Sequence, residues 1–214
     1  MLTERKILFI DLDGTIVDSG KAMWNIYREI FHSLYGDELK YPFSEFVCLI
    51  GLNREKFIYS IFGDVDLDSV EIINDRYRYL FREKYLYTFS TFQGMDQLLY
   101  RWRKQEIELV LLSNRLDEYS RLILEKCGVL DCFSELVIND GNDKSERLKN
   151  YLVDNRINKK ISYLIGDTEE DVKSGIENGI STIYVEYGYG ELKNAVPDYE
   201  VNSVNSLELL MDAL

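Results

Sequence analysis

The sequence predicts an α/β protein, a parallel sheet flanked by helices and interrupted once by an all-helical insert. Three observations carry this. Short apolar runs recur at 6–10, 108–113, 136–138, 161–165 and 181–185, the pattern of strands buried on both faces of a parallel sheet. From residue 107 onward these runs alternate with helix-like segments of about 116–127, 143–154 and 168–178, following an earlier one near 93–105. Residues 18–88, in contrast, contain no convincing strand at all.

Taken in order, Lys6 leads directly into the first strand, which ends at Asp11. The insert reads as helices over 20–35, 43–50, 53–62 and 67–85, punctuated by Pro42, Gly51 and Gly63. Ile72, Ile73, Tyr77, Leu80 and Phe81 recur there at helical spacing, so the aromatic residues of this stretch read as the core of a small helical unit rather than a base-stacking platform. Asp143 followed by Glu146 fits a capping box, and Gly128 and Gly179 fit helix C-termini. The expected organisation is a core of residues 1–17 and 89–214 carrying a helical cap, residues 18–88, with hinges near 16–20 and 86–92.

Composition excludes several classes. With 38 acidic and 25 basic side chains the 214-residue chain has a net charge of −13, the wrong sign for a nucleic-acid binder. The stretch 16–88 is less acidic than 131–214, and solvated faces account for most of that difference. Three cysteines (Cys48, Cys127, Cys132) form no CxxC pair and argue against a disulfide framework or a structural zinc site. The lone His32, beside Phe31 in the first insert helix, reads as a surface or core-edge residue. No apolar run reaches the ~18 residues of a membrane span, and no signal-like segment opens the chain. A cytoplasmic protein, monomer or homodimer, without membrane or nucleic-acid partners is expected.

The chemistry is expected at the carboxyl ends of the strands, where open parallel sheets bind ligands. The first strand delivers residues 11–15, Asp-Leu-Asp-Gly-Thr; the second delivers Ser113 and Asn114; the fourth delivers Gly166-Asp167-Thr168-Glu169-Glu170-Asp171. An Asp at a strand end can simply cap the next helix. Acids gathered from two loops at one edge, however, repel unless a cation neutralises them, and hard carboxylate oxygens without His or thiolate favour Mg²⁺.

Residues 11–19 resemble the first motif of the haloacid dehalogenase-like hydrolase superfamily. Ser113 is similar to its second motif, and Gly166-Asp167-Thr168 with Asp171 and Gly175 to its fourth. The chain as a whole resembles phosphoglycolate phosphatase-like members with a helical cap. For the third motif, a lysine, Lys144 matches best, although Ser145 stands where Pro is common and Lys149, Lys159 and Lys160 compete. The resemblance implies a Rossmann-like core with an inserted all-helical cap domain, and hydrolysis of a small phosphorylated metabolite.

It also implies roles. Asp11 would be the nucleophile and Asp13 the general acid and base; Mg²⁺ would sit among Asp11, the main-chain carbonyl of Asp13 and Asp167. Ser113 and Lys144 would bind the phosphoryl oxygens, helped by backbone N–H groups following Asp11 and Ser113, at Leu12 and Asn114. Asp171 would hold the lysine and the metal's water shell, Thr15 would stabilise the turn, and Asp18 and Ser19 would begin the first cap helix. The segment 51–54, Gly-Leu-Asn-Arg, resembles the cap loop that faces the site, making Arg54 a candidate substrate residue; Asn53 stands where the family commonly has Pro. An acid at Asp13 favours phosphate esters over haloacids. A sugar-phosphate mutase, or a binding or regulatory protein that kept the fold without turnover, are the rival readings.

Overall fold

The first strand, β1 (Ile7–Ile10), is fully buried, and its side chains alternate between two separate cores. Leu8 and Ile10 belong to the larger core; Ile7 and Phe9 belong to the smaller one on the opposite face. Each such side chain contributes about 1.5–3 kcal/mol relative to an exposed position. This two-sided burial explains why the run is apolar throughout rather than alternating. The computed structural model describes residues 5–52 and 54–214.

Five more strands join β1 in one sheet: β4 (Glu108–Leu112), β5 (Glu135–Val137), β6 (Ser162–Gly166), β7 (Ser181–Val185) and β8 (Tyr199–Val201). The order is β5-β4-β1-β6-β7-β8 and every pairing is parallel. The chain therefore runs outward from β1 to β5 and returns to start again at β6. That reversal creates a crevice at the carboxyl ends of the three central strands. On the face of Ile7 and Phe9 lies α7 (Lys144–Asp154), whose Leu148 and Leu152 join the smaller core and whose Tyr151 meets Phe9 edge to face at 5.5 Å. On the other face α5 (Met95–Lys104), α6 (Asp117–Lys126) and α9 (Val204–Ala213) add buried residues to the larger core. Between β6 and β7, α8 (Glu169–Asn178) packs against α7.

The insert contains α1 (Gly20–Tyr35), α2 (Phe43–Val47), α3 (Arg54–Phe62) and α4 (Leu67–Leu80). Tyr27 of α1 is its centre, with rings of Phe46, Phe57, Phe62 and Tyr77 at 4.9–6.2 Å. Such pairs add about 0.5–1.5 kcal/mol each beyond the area they bury. Entry and exit are tied together: β2 (Val17–Asp18) pairs antiparallel with β3 (Ser90–Thr91), so the two segments read as hinges form one short ribbon.

Several element assignments need correction. Helix 67–85 is α-helical only to Leu80; a π-helical turn (Phe81–Tyr85) and a 3₁₀ turn (Leu86–Thr88) follow, with Phe81 buried against Tyr77 and Tyr119. The helix expected over 43–50 stops at Val47. Asp143 accepts a bond from the Glu146 N–H at 2.7 Å, a cap without the reciprocal half of a box. The complete boxes are Thr168 with Asp171 and Ser203 with Ser206. Asp18 lies in the ribbon, and Ser19 precedes α1 without a side-chain cap bond. β8 and α9 are additions, because a three-residue edge strand carries little pattern of its own. His32 is exposed, and no helix among the described residues is long and apolar enough to cross a membrane.

Candidate active site

The central strands end side by side, at Asp11 after β1, Ser113 after β4 and Asp167 after β6. A tight turn follows Asp11. The Leu12 carbonyl accepts from the N–H groups of Ile16 and Val17 at 3.0 and 2.9 Å, and Gly14 adopts φ +85°. A Cβ on Gly14 would lie 2.2 Å from Asp167 Oδ2, so only glycine allows these two loops to approach so closely. Thr15 Oγ1 donates to Asp167 Oδ1 at 3.3 Å, which ties the turn to the neighbouring strand end. The Leu12 side chain is buried in the core, leaving only its main chain to face the crevice.

Lys144, the first residue of α7, reaches the same place from the side. Its Nζ lies 2.6 Å from both Asp11 Oδ1 and Asp171 Oδ1, in a pocket where all three side chains are buried. Burial alone would lower the Lys144 ammonium; the two carboxylates outweigh it and hold it above its usual range. The competing lysines at 149, 159 and 160 are exposed. The Thr168 box fixes Asp171, whose Oδ2 accepts from Thr168 N and Oγ1 at 3.0 and 2.6 Å.

One lysine does not neutralise the site. Ligand oxygens of Asp11, Asp167 and Asp171 lie within 4.8 Å of one another, all buried. Burial, reinforced by Asp171, pushes the Asp167 carboxyl up to about 7, and burial also raises Asp11 well above the usual carboxylate range despite Lys144. Burial is the larger cause and the neighbouring acids add to it, so a bound cation would act against both. An all-oxygen set with one compensating lysine fits a hard divalent cation such as Mg²⁺.

Three features were absent from the expectations. Arg115 grips Asp13 with two parallel bonds, Nε to Oδ2 and Nη2 to Oδ1, each 2.8 Å, while Nη1 donates to Tyr77 Oη at 2.8 Å. Arg147, one turn after Lys144 on the same face of α7, donates to the Ser113 carbonyl at 2.7 Å and to Asn114 Oδ1. Asn114 in turn donates to Glu170 Oε2 at 2.8 Å and, across to the insert, to the Gly51 carbonyl at 2.9 Å. The third is the loop after β7, where Tyr189 N and Gly190 N donate to Asp167 Oδ2 at 2.8 and 3.2 Å and the Tyr189 hydroxyl accepts from Gly20 N at 2.8 Å. Only the last left a local signal, the Tyr-Gly-Tyr-Gly run at 187–190.

A cavity of about 90 Å³ opens above Asp11, Asp13 and Ser113, walled by Met23, Tyr27, Phe57, Tyr77 and Tyr119. Arg54 lines it too: its Nε donates to Asn74 Oδ1 at 2.7 Å and its guanidinium lies 5.6 Å from the Tyr77 ring centre. Asn53 lies outside the described residues. The structure therefore brings Asp11, Asp13, Ser113, Asn114, Lys144, Asp167 and Asp171 to one edge and adds Arg54 from the insert.

A doubly wound parallel sheet with an acidic, lysine-bearing site at its switch point and a helical insert above it defines an α/β protein equipped to handle an anionic ligand with a cation. Comparison with known proteins narrows that class. A sequence profile of the haloacid dehalogenase-like hydrolases matches residues 7–185, and the chain belongs to that family. A phosphoglycolate phosphatase from Aquifex aeolicus is 27% identical over 97% of this chain and 97% of its own. A predicted phosphatase from Clostridium acetobutylicum superposes with a TM-score of 0.85 at 24% identity, covering 99% of this chain and all of the other. The hydrolase YfnB from Bacillus subtilis, solved bound to magnesium and showing interdomain movement, gives 0.76 at 18% identity over 98% of this chain and all of its own.

Proposed function

We propose that the protein is a Mg²⁺-dependent phosphatase acting on small phosphate monoesters through an aspartyl-phosphate on Asp11. The observation that supports it most is the buried Asp11–Lys144–Asp171 pair of contacts at 2.6 Å beside Asp167, with Asp13 two residues away and a cavity above. Likeness to the Aquifex aeolicus phosphatase adds weight.

In this reading Asp11 Oδ attacks phosphorus as the ester P–O bond breaks, and Asp13 gives a proton to the departing alkoxide. Water then attacks the aspartyl-phosphate and yields its proton to Asp13. Inorganic phosphate departs and the Asp11 carboxylate returns. Lys144, Ser113 and the main-chain N–H groups of Leu12 and Asn114 hold the transferring phosphoryl oxygens. Asp11, the Asp13 carbonyl and Asp167 would hold the cation, and Asp171 orients Lys144. Mg²⁺, when bound, offsets the like charge of nucleophile and phosphate. Residues 18–88 form a cap that closes on the core of 1–17 and 89–214 through the hinge ribbon, and Arg54 meets a second anionic group on the substrate. A carboxylate suits its fork of donors.

The test is Asp11→Asn, assayed with Mg²⁺ and with EDTA on p-nitrophenyl phosphate and on a panel of phosphorylated metabolites. Wild-type turnover should need the metal and the variant should lose nearly all of it with its fold intact. Retention of more than a few per cent of activity would exclude the covalent route.

A further inference from the structure

The two-armed pair between Arg115 and Asp13 stands in the way of the chemistry just assigned to Asp13. Both carboxylate oxygens are engaged at 2.8 Å by one guanidinium, and both side chains are almost wholly buried. Held so, each oxygen of Asp13 spends a lone pair on the guanidinium, and the carboxylate is oriented by Arg115 rather than toward a leaving group or a water. Two parallel N–H···O⁻ bonds are the strongest arrangement a carboxylate makes with a side chain, so thermal fluctuation alone releases it rarely.

Resting on the phosphatase reading, we propose that Arg115 is a substrate-released latch on Asp13, and that the ligand which opens it is the second anionic group of the substrate, carried on the leaving group. Arg115 lines the same cavity as Arg54, and the two are joined through one side chain. Arg115 Nη1 donates to the Tyr77 hydroxyl at 2.8 Å, while the Arg54 guanidinium lies over the Tyr77 ring. The other walls of the cavity are largely apolar (Met23, Tyr27, Ile50, Phe57), so an anion entering there finds these two guanidinium groups as its only positive partners among the described residues lining it. The other side-chain contacts of the Arg115 guanidinium, Tyr77 Oη, Met23 Sδ and the Phe89 ring at 5.8 Å, are neutral. Asp13 is thus the anion that an incoming carboxylate must replace. Exchanging one carboxylate for another costs Arg115 no net pairing, whereas a neutral leaving group offers no exchange. Selectivity then appears in kcat as well as in KM, because the wrong leaving group binds without freeing the proton-transfer residue.

Two esters of the same carbon skeleton separate this from a structural role: phosphoglycolate, with a carboxylate on the leaving group, and 2-hydroxyethyl phosphate, one oxygen smaller, with a neutral hydroxyl in its place. Wild type should favour the first in kcat. Arg115→Gln should move the two in opposite directions, lowering kcat/KM for phosphoglycolate and raising kcat for 2-hydroxyethyl phosphate about tenfold, part of the roughly 10²–10⁴ a positioned acid–base group supplies. Arg115→Lys keeps the charge and loses the fork, so it should fold as wild type does and show the same convergence in weaker form. Parallel losses on both esters in both variants, or an unchanged kcat ratio in Arg115→Lys, would overturn the latch while leaving the phosphatase reading intact. Absence of Mg²⁺-dependent turnover of any phosphate ester by wild type would instead overturn that reading, and the latch with it.

Discussion

Lys144→Met removes the cation that bonds directly to the buried acidic cluster while keeping a side chain of similar length and apolar stem. The lysine is buried, and its Nζ makes two contacts of 2.6 Å, to Asp11 and Asp171. Deleting one partner of a buried ion pair costs about 3–5 kcal/mol, because the surviving charge is left uncompensated. For a chain of this size about 1 kcal/mol corresponds to roughly 2–4 °C, so the midpoint should fall by about 6–20 °C. The sign with pH follows from the groups involved. The Lys144 ammonium is raised in the folded state, so its contribution is fully present at and below neutral pH in the wild type. In the variant Asp11, already raised by burial, loses the neighbour that lowers it and rises further. A carboxyl raised above its unfolded value makes stability fall as pH climbs. The deficit should therefore be larger at pH 8 than at pH 5. Thermal unfolding in EDTA at both values, with exposed Lys149→Met as the control, measures it. A Lys144→Met midpoint equal to that of the control, or a deficit that grows toward acid, would refute the reasoning.

The remaining predictions share that cluster and the cavity above it. Mg²⁺ should raise the unfolding midpoint, and more at pH 8 than at pH 5. Asp167, pushed to about 7, holds a proton below that value, and the metal must displace it; an equal or larger shift at pH 5 would contradict this. Arg54→Ala should raise KM for an anionic ester such as phosphoglycolate while sparing p-nitrophenyl phosphate. Matched losses on both would make Arg54 structural, through its bond to Asn74.

What the sequence settled by itself was most of what depends on local pattern. Strands β1, β4, β5, β6 and β7, the helices of the insert and the acidic strand ends were legible because apolar runs, helical spacing and Asp-rich turns are written in consecutive residues. Lys144 was selected among four lysines by its place at a helix start, and its burial sets it apart from the exposed other three. What failed locally did so where packing overrides pattern. The turns before Phe89 pass from α to π to 3₁₀ where Phe81, besides its helical neighbour Tyr77, packs against Tyr119 of α6, a contact that no helical spacing encodes.

The polar network around the site was a matter for the tertiary structure alone. Arg115 and Asp13 are 102 residues apart, Tyr189 and Gly20 169 apart, and neither side of either pair carries a mark of its partner. An arginine after Ser-Asn reads as one more surface charge until the sheet order sets β4 against β1 and the insert excludes water above it. Burial turns that charge from a solvated bystander into a group that must be paired, and the pairing chooses Asp13.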